Sequence, residues 1–351
     1  MKIIRFIIVI LLICLSLQLL FLSTFWEKLE HSLSDTFFLT RGERALSGDI
    51  VIVEIGDNTF SALNQQWPFP REYYARVINN LQKAGARQIV FDIEFTENSD
   101  PASDAELAAV AARYDNIIFA GKVIRQQQDI YSKEQILPPI RELQEAGVLW
   151  GTVNISLDND GFVRRYELLQ TVQKTMSRYA IGVLSVAAWH QDPDWETSIH
   201  NGNRYFKVRE KYIPKVTSRS CLLNYYGPDR TFRYFDFSDV LDDDTFELPL
   251  NYDLNSFAML LEDDAFRNKI VIIGPTADEF HDSHNTPFST HNRKLMPGVE
   301  IHANFIEMVM NDDYLELFPK LTYLLIFLGL AVLLLLLNFR IKPTRSLLIN
   351  L

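Results

Sequence analysis

The chain has 351 residues and a net charge of −11, from 34 Lys and Arg against 45 Asp and Glu. That acidic balance excludes nucleic acid and an anionic membrane surface as partners for the middle of the chain. Its two cysteines, Cys14 and Cys221, lie in an apolar run and in the polar middle, so no intrachain disulfide is expected and the fold must be held by its core.

Residues 6–26 form an apolar run long enough to span a bilayer, preceded by Lys2 and Arg5 and closing on Phe25 and Trp26. Its apolar stretch is too long for a signal peptide and no clean small-residue cleavage site follows, which favours an anchor. A second run, Leu321–Asn338, carries Tyr323 near its start and is followed by Arg340, Lys342 and Arg345. Basic residues mark the cytoplasmic flank, so both outer ends are expected inside and everything between them outside. The organisation predicted is an anchor at 1–26, an extracytoplasmic domain at 27–318, a second transmembrane helix at 319–339 and a cytoplasmic turn at 340–351. In that turn Ser346–Leu351 resumes an apolar pattern, as if a further membrane helix were cut at its start.

Between the anchors, Asp49–Ile55 is a β-branched run of the kind buried on both faces of a parallel sheet. Pro70 opens a helix on which Tyr74, Val77, Ile78 and Leu81 recur at helical spacing until Gly85. A strand at 87–93, a helix at 104–113 and a strand at 116–123 complete a β-α-β-α-β order, which right-handed crossovers turn into a parallel layer. Gly151–Ile155 and Val163–Val172 flank Asp158-Asn-Asp-Gly161, a hairpin signal. A helix at 179–190 follows, then short strands of antiparallel character at 205–208, 212–216 and 221–226. An acidic interval at 236–264 mixes a short helix with loops, and Lys269–Gly274 is a last buried strand. The fold class expected is α/β: a single mixed, mainly parallel sheet flanked by helices and held between two transmembrane helices.

In open α/β sheets ligands bind beyond the carboxyl ends of the strands. Those ends carry Asp57, Asp92 and Glu94, and the loop with His281, Asp282 and His284 is expected beside them. Clustered carboxylates raise each other's pKa or recruit a cation; strand-end carboxylates that merely cap the next helix fit the same pattern. A helix over 299–310 sets Glu300, Asn304, Glu307 and Asn311 on a polar face and buries His302 among Val299, Ala303, Ile306 and Val309. The buried imidazole needs partners, and the preceding loop offers Asp282 and Thr286. It reads either as a core histidine that ties loop to helix or as a ligand contact. Trp67-Pro-Phe-Pro-Arg71 lays an aromatic and a guanidinium over a ligand, or is a stiff loop that starts a helix. His281-x-x-His284 has donor types for a metal but no HExxH or paired-cysteine spacing. Asp158–Gly161 opens like a calcium loop but has Leu169 where a bidentate Glu belongs. No nucleophile elbow, P-loop, dinucleotide-binding, kinase or cyclase signature is present, so catalysis has no warrant in the sequence.

Seven blocks in order resemble the CHASE type 2 (CHASE-2) extracytoplasmic sensory domain family of bacterial cyclases and histidine kinases. They are Asp49-Ile-Val-Ile-Val53, Trp67-Pro-Phe-Pro-Arg71, Gly85-Ala with Phe91-Asp92, Gly151-Thr-Val-Asn154 with Asp158-x-Asp-Gly161, Asn224-Tyr-Tyr-Gly-Pro228, Thr286-Pro-Phe288, and Met296-Pro-Gly-Val-Glu-Ile-His-Ala-Asn304. One departure stands out: the family shows two adjacent acidic residues after the first strand, where this chain has Gly56 before Asp57. The resemblance implies a non-enzymatic sensor in the bacterial inner membrane, its bulk periplasmic, acting as a homodimer and without a cofactor. A cytoplasmic output module would lie outside this chain. Its partner is expected to be an unidentified small ligand or a periplasmic protein, with Asp57, Trp67, Arg71, Asp92, Glu94, Asn154, Asp282 and His302 as the candidate ligand-binding residues. Two rivals remain open: an anchored metal-dependent hydrolase built on Asp57, Asp92 and His281 or His284, and an assembly module with an acidic surface.

Overall fold

The structure is a computed structural model that describes residues 24–127, 132–172, 176–189, 194–246, 248–249, 255–292 and 294–317, with scattered positions between 322 and 333. In chain order, helix α1 (Thr24–Arg41) leads to β1 (Ile50–Ile55), α2 (Asp57–Leu63), α3 (Arg71–Lys83), β2 (Gln88–Glu94), α4 (Pro101–Ala111) and β3 (Ile117–Gln127). Strands β4 (Ser132–Leu137) and β5 (Leu149–Thr152) follow, separated by α5 (Arg141–Glu145). A run of short strands comes next: β6 (Arg165–Glu167), β7 (Leu169–Val172), β8 (Met176–Tyr179), helix α6 (Ile181–Ala188), β9 (Ile199–Asn201), β10 (Tyr205–Val208), β11 (Lys211–Pro214) and β12 (Ser220–Leu222). The remaining elements are β13 (Arg233–Asp236), α7 (Phe237–Leu241), α8 (Ser256–Glu262), β14 (Ile270–Pro275), β15 (Ser283–His284), β16 (Met296–Pro297) and α9 (Gly298–Met310).

The central sheet runs β13-β1-β14-β2-β3, all parallel. The first half of β3 also takes β5 in parallel, and its second half takes β4 antiparallel. The mixed, mainly parallel α/β architecture expected from the sequence is therefore present. The last strand, β14, lies between the first two. Ile50 and Ile52 join Val90, Ile118, Ile270 and Ile272 in one core, whereas Val51, Val53 and Ile55 join Ile89, Phe91, Ile117, Val271 and Ile273 in the other. This is the period-two alternation of a pleated strand with both faces covered. Helices α3, α4, α5, α7 and α8 cover the second face. Helices α6 and α9, with the short strands around 163–223, cover the first.

The hairpin expected around Asp158–Gly161 does not form between its flanks. The turn closes on itself, with the Asp158 N–H donating to the Phe162 carbonyl at 2.8 Å. Strand β5, however, satisfies its backbone on the open edge of β3, while β6 pairs with β12 and β7 with β8. A buried Gly151-Thr152 on a vacant parallel edge outcompetes a local partner. The expectation of a polar face on the last helix also needs correction: Glu300, Asn304 and Glu307 are as buried as the apolar residues between them.

Residues Phe38–Leu315 form one compact unit, and the stretches 1–37 and 316–351 fall outside it. Among the described residues no helix is long and apolar enough to cross a membrane. The expected anchors at 1–26 and 319–339 lie mostly outside the described residues.

Candidate functional site

Strand β2 places Asp92 on the same face as Val90, toward α9, because Phe91 and Ile93 take the opposite face. Beside it on β14, Gly274 has no side chain, and a Cβ there would lie 2.8 Å from Val299 and 3.2 Å from the Asp92 Cβ. The first turn of α9 thus packs directly on the carboxyl ends of the parallel strands. His302, one turn further, sits with Nε2 3.8 Å from Oδ1 of Asp92.

His302 is 1 % exposed. Its Nδ1 lies 2.6 Å from the Tyr166 hydroxyl, which accepts the Gly182 N–H at 3.2 Å. That hydroxyl proton is then directed at Nδ1, which places the ring proton on Nε2, facing Asp92. Tyr166 in turn stacks on Phe305, ring centroids 3.9 Å apart. The partners expected from the preceding loop are not the ones used. Thr286 bonds with Ser289, and Asp282 acts on His302 only through its charge. Burial holds the imidazole neutral, with a pKa lowered to about 4; the charge of Asp282 and the Val153 backbone oppose that shift, and His284 adds to it.

Asp92 is pushed the other way. Burial, then the charges of Asp282 and Glu94, raise its carboxyl well above the ordinary range. Its Oδ2 and the His302 Nε2 are both buried with no hydrogen-bond partner among the described residues.

Above Asp92 opens a crevice of about 630 Å³. Of the eight residues singled out from the sequence, Trp67, Arg71, Asp92, Glu94, Asn154 and Asp282 line it, and His302 lies behind Asp92. Asp57 does not line it. It starts α2 as an exposed acidic residue of the first turn, where a carboxylate complements the helix dipole. The residues that line the crevice differ in how far they are engaged. Arg71 is held between Asp104 (3.4 Å), the Glu97 carbonyl (3.0 Å) and the face of Phe95 (4.6 Å). Glu94 pairs with Lys122 at 2.8 Å. Asn154 accepts from the Val123 N–H at 2.7 Å and donates to its carbonyl at 2.9 Å, standing in for a missing strand neighbour of β3. Trp67 packs edge-on against Phe280, centroids 4.9 Å apart. His284 and Asp282 meet at 3.0 Å, while His281 is exposed at the rim.

Sequence reasoning misses Tyr166, Phe280 and Lys122. Phe280 adjoins the His281–His284 motif and was within reach of that reading; Lys122 meets the site through the pairing of β3 with β2, and Tyr166 through its packing on His302 and Phe305.

A mixed α/β domain with a carboxylate-lined crevice at its strand ends, backed by a fully buried helix, defines a class of domain and not a chemistry. Residues 7–336, nearly the whole chain, match the family model of the CHASE2 domain. The chain belongs to the CHASE2 domain family, whose members are extracellular sensory domains and not themselves catalytic. No curated protein and no solved structure matches the chain.

Proposed function

We propose that the chain is the sensing part of a membrane-bound receptor, in which a ligand at the Asp92 crevice shifts α9 and thereby the membrane segment that follows it. The observation that carries this reading is the contact of His302 with Asp92. It couples the crevice floor to the helix whose C-terminal end leads toward residues 319–339.

Helix α9 is tied at its other end as well. Glu307 accepts from the Ser47 N–H at 2.5 Å and its hydroxyl at 2.9 Å, and Arg44 pairs with Asp313. The segment entering the domain and the C-terminal end of α9 with the residues just after it therefore share partly buried contacts, so a shift of α9 acts on both. In this reading the bulk of the chain is periplasmic, the inner membrane holds residues 1–26 and 319–339, and the working unit is a homodimer. The output module, a cyclase, histidine kinase or similar, lies in the cytoplasm.

A ligand shifts such an equilibrium only by its differential affinity for the two states. Screening the purified 351-residue chain in detergent for compounds that raise its melting temperature tests the reading. Hits are expected to reduce hydrogen exchange along 276–310. Hits that protect only other regions would defeat it, and a reporter fused at Ser132 that appeared in the cytoplasm would defeat the topology. The hydrolase alternative draws no support from the geometry, because Asp57 stands outside the crevice that Asp92 and His284 line.

A further inference from the structure

We infer that the crevice takes a small primary ammonium ion, its N–H groups on Oδ2 of Asp92 and its carbon skeleton against Trp67 and Phe280. This rests on the reading of the crevice as the sensing site and adds the chemical class of the ligand.

Three observations carry it. The first is the state of Asp92. Its side chain is 5 % exposed, it lines the crevice, and Oδ2 has no hydrogen-bond partner among the described residues. A buried acceptor left unsatisfied is costly, and a ligand that donates to it recovers that loss. His302 already faces Oδ1, so the acceptor left without a partner is Oδ2.

The second is charge. Asp92, Glu94, Glu97 and Asp282 line the crevice against Arg71 and Lys122. Both cations are engaged: Lys122 by Glu94, and Arg71 by Asp104, the Glu97 carbonyl and Phe95. The three histidines do not reverse the balance, since His302 is held neutral, His284 already meets Asp282 and His281 is exposed at the rim. The uncompensated field is negative and rejects an anionic ligand.

The third is the wall opposite. Trp67 keeps 37 % of its surface exposed and Phe280 packs against it. An aromatic wall stabilises an organic cation through its face, and a volume of about 630 Å³ suits a small molecule. Because Oδ2 needs a donor, a primary ammonium fits and a quaternary one does not.

The test is a thermal-shift and calorimetric series on the full chain in detergent. It compares 2-phenylethylamine and putrescine with choline, 2-phenylethanol, phenylacetate and calcium. The two primary amines are expected to raise the melting temperature, and the other four to leave it unchanged. Asp92→Asn is expected to weaken amine binding at least tenfold. Asp282→Asn, at the partly exposed mouth, is expected to weaken it several-fold and carries the test if the Asp92 variant does not fold. Binding of phenylacetate, the alcohol or calcium in place of the amines would overturn the ammonium assignment while leaving crevice sensing intact. An amine shift that persisted in both variants would overturn the site. Silence of every class would overturn the assignment and the sensing reading together.

Discussion

His302 and Asp92 face each other across the junction of α9 and β2 with Nε2 3.8 Å from Oδ1, both nearly devoid of solvent. Burial opposes charge on both, lowering the pKa of the imidazole to about 4 and raising that of the carboxyl. The pair is held by packing more than by charge, and its sensitivity to substitution and pH follows from that.

Asp92→Asn is expected to raise the stability of the unliganded protein. The folded-state pKa of Asp92 lies above its unfolded value, so the stability it contributes is full below about pH 3.8 and is lost as pH rises toward the folded pKa. At pH 7 the wild type carries that penalty and the amide does not. A gain of about 1–3 kcal/mol is expected in urea denaturation at pH 7, shrinking toward zero by pH 4. A loss of stability at pH 7 would mean that Oδ2 has a partner.

For His302 the sign is reversed. With a folded pKa of about 4 against 6.5, its contribution is present above pH 6.5 and is lost as pH falls from 6.5 toward 4. The full span of that shift is worth roughly 3 kcal/mol. Tyr166→Phe leaves Nδ1 unpaired and is expected to cost about 1–2 kcal/mol. A double-mutant cycle with His302→Phe, followed by denaturation at pH 7.5 and pH 5, should give a coupling above 0.5 kcal/mol at the higher pH. Additive single effects would show that the 2.6 Å contact contributes nothing.

Glu300 is enclosed by the 230–234 loop. Its oxygens accept from the N–H groups of Arg230 and Thr231, each at 2.9 Å, and from the Tyr234 hydroxyl at 2.7 Å. Burial outweighs these donors and lifts its pKa to about 7, so its contribution is full below pH 4.5 and is lost as pH rises through 7. Glu300→Gln turns an amide NH₂ toward backbone donors, which should destabilise by about 2–3 kcal/mol. The variant should also flatten the stability profile between pH 4.5 and 7. Circular-dichroism melts across that range would show an unchanged slope if Glu300 did not titrate there.

Two glycines separate packing from the crevice mouth. Gly274→Ala drives a methyl into Val299, on a helix that is buried all round, and is expected to cost about 1–3 kcal/mol by lifting α9 from the sheet. Gly298→Ala meets the Asp282 carboxylate first, the end of a side chain that can swing away. Its stability should change by less than about 0.5 kcal/mol, while ligand affinity at the crevice falls. Equal melting temperatures for the two variants would contradict the placement of α9 on the strand ends.

Much of the fold was legible because burial leaves periodic marks. The alternation in Ile50–Ile55 and the helical spacing of Tyr74, Val77, Ile78 and Leu81 describe the elements that form, and the apolar surroundings of His302 on its helix were enough to anticipate its burial. Strand order left no such mark. Nothing local in Ile270–Pro275 says that it enters between β1 and β2, since a strand buried on both faces reads alike wherever it pairs. The missed pairing of β5 has the same cause: a turn signal is local, whereas competition for the edge of β3 is decided by residues some 30 positions away.

At the candidate site the order of residues was enough to say which groups end up at the strand ends, because polar residues are tolerated where a buried strand runs out. Asp92, Glu94 and the 281–284 loop were all legible in that way, along with Trp67 and Arg71 at the head of α3. Which of them are already engaged depends on the packing of distant elements. Arg71 is neutralised by Asp104, Asn154 is consumed by Val123, and Asp57 is left outside. A hydrogen bond or ion pair is a property of two partners, and the second partner here is brought up by α4 or β3, neither of which lies near the first in sequence. Among the acceptors left unsatisfied after that pairing is Oδ2 of Asp92, where a donating ligand has most to contribute.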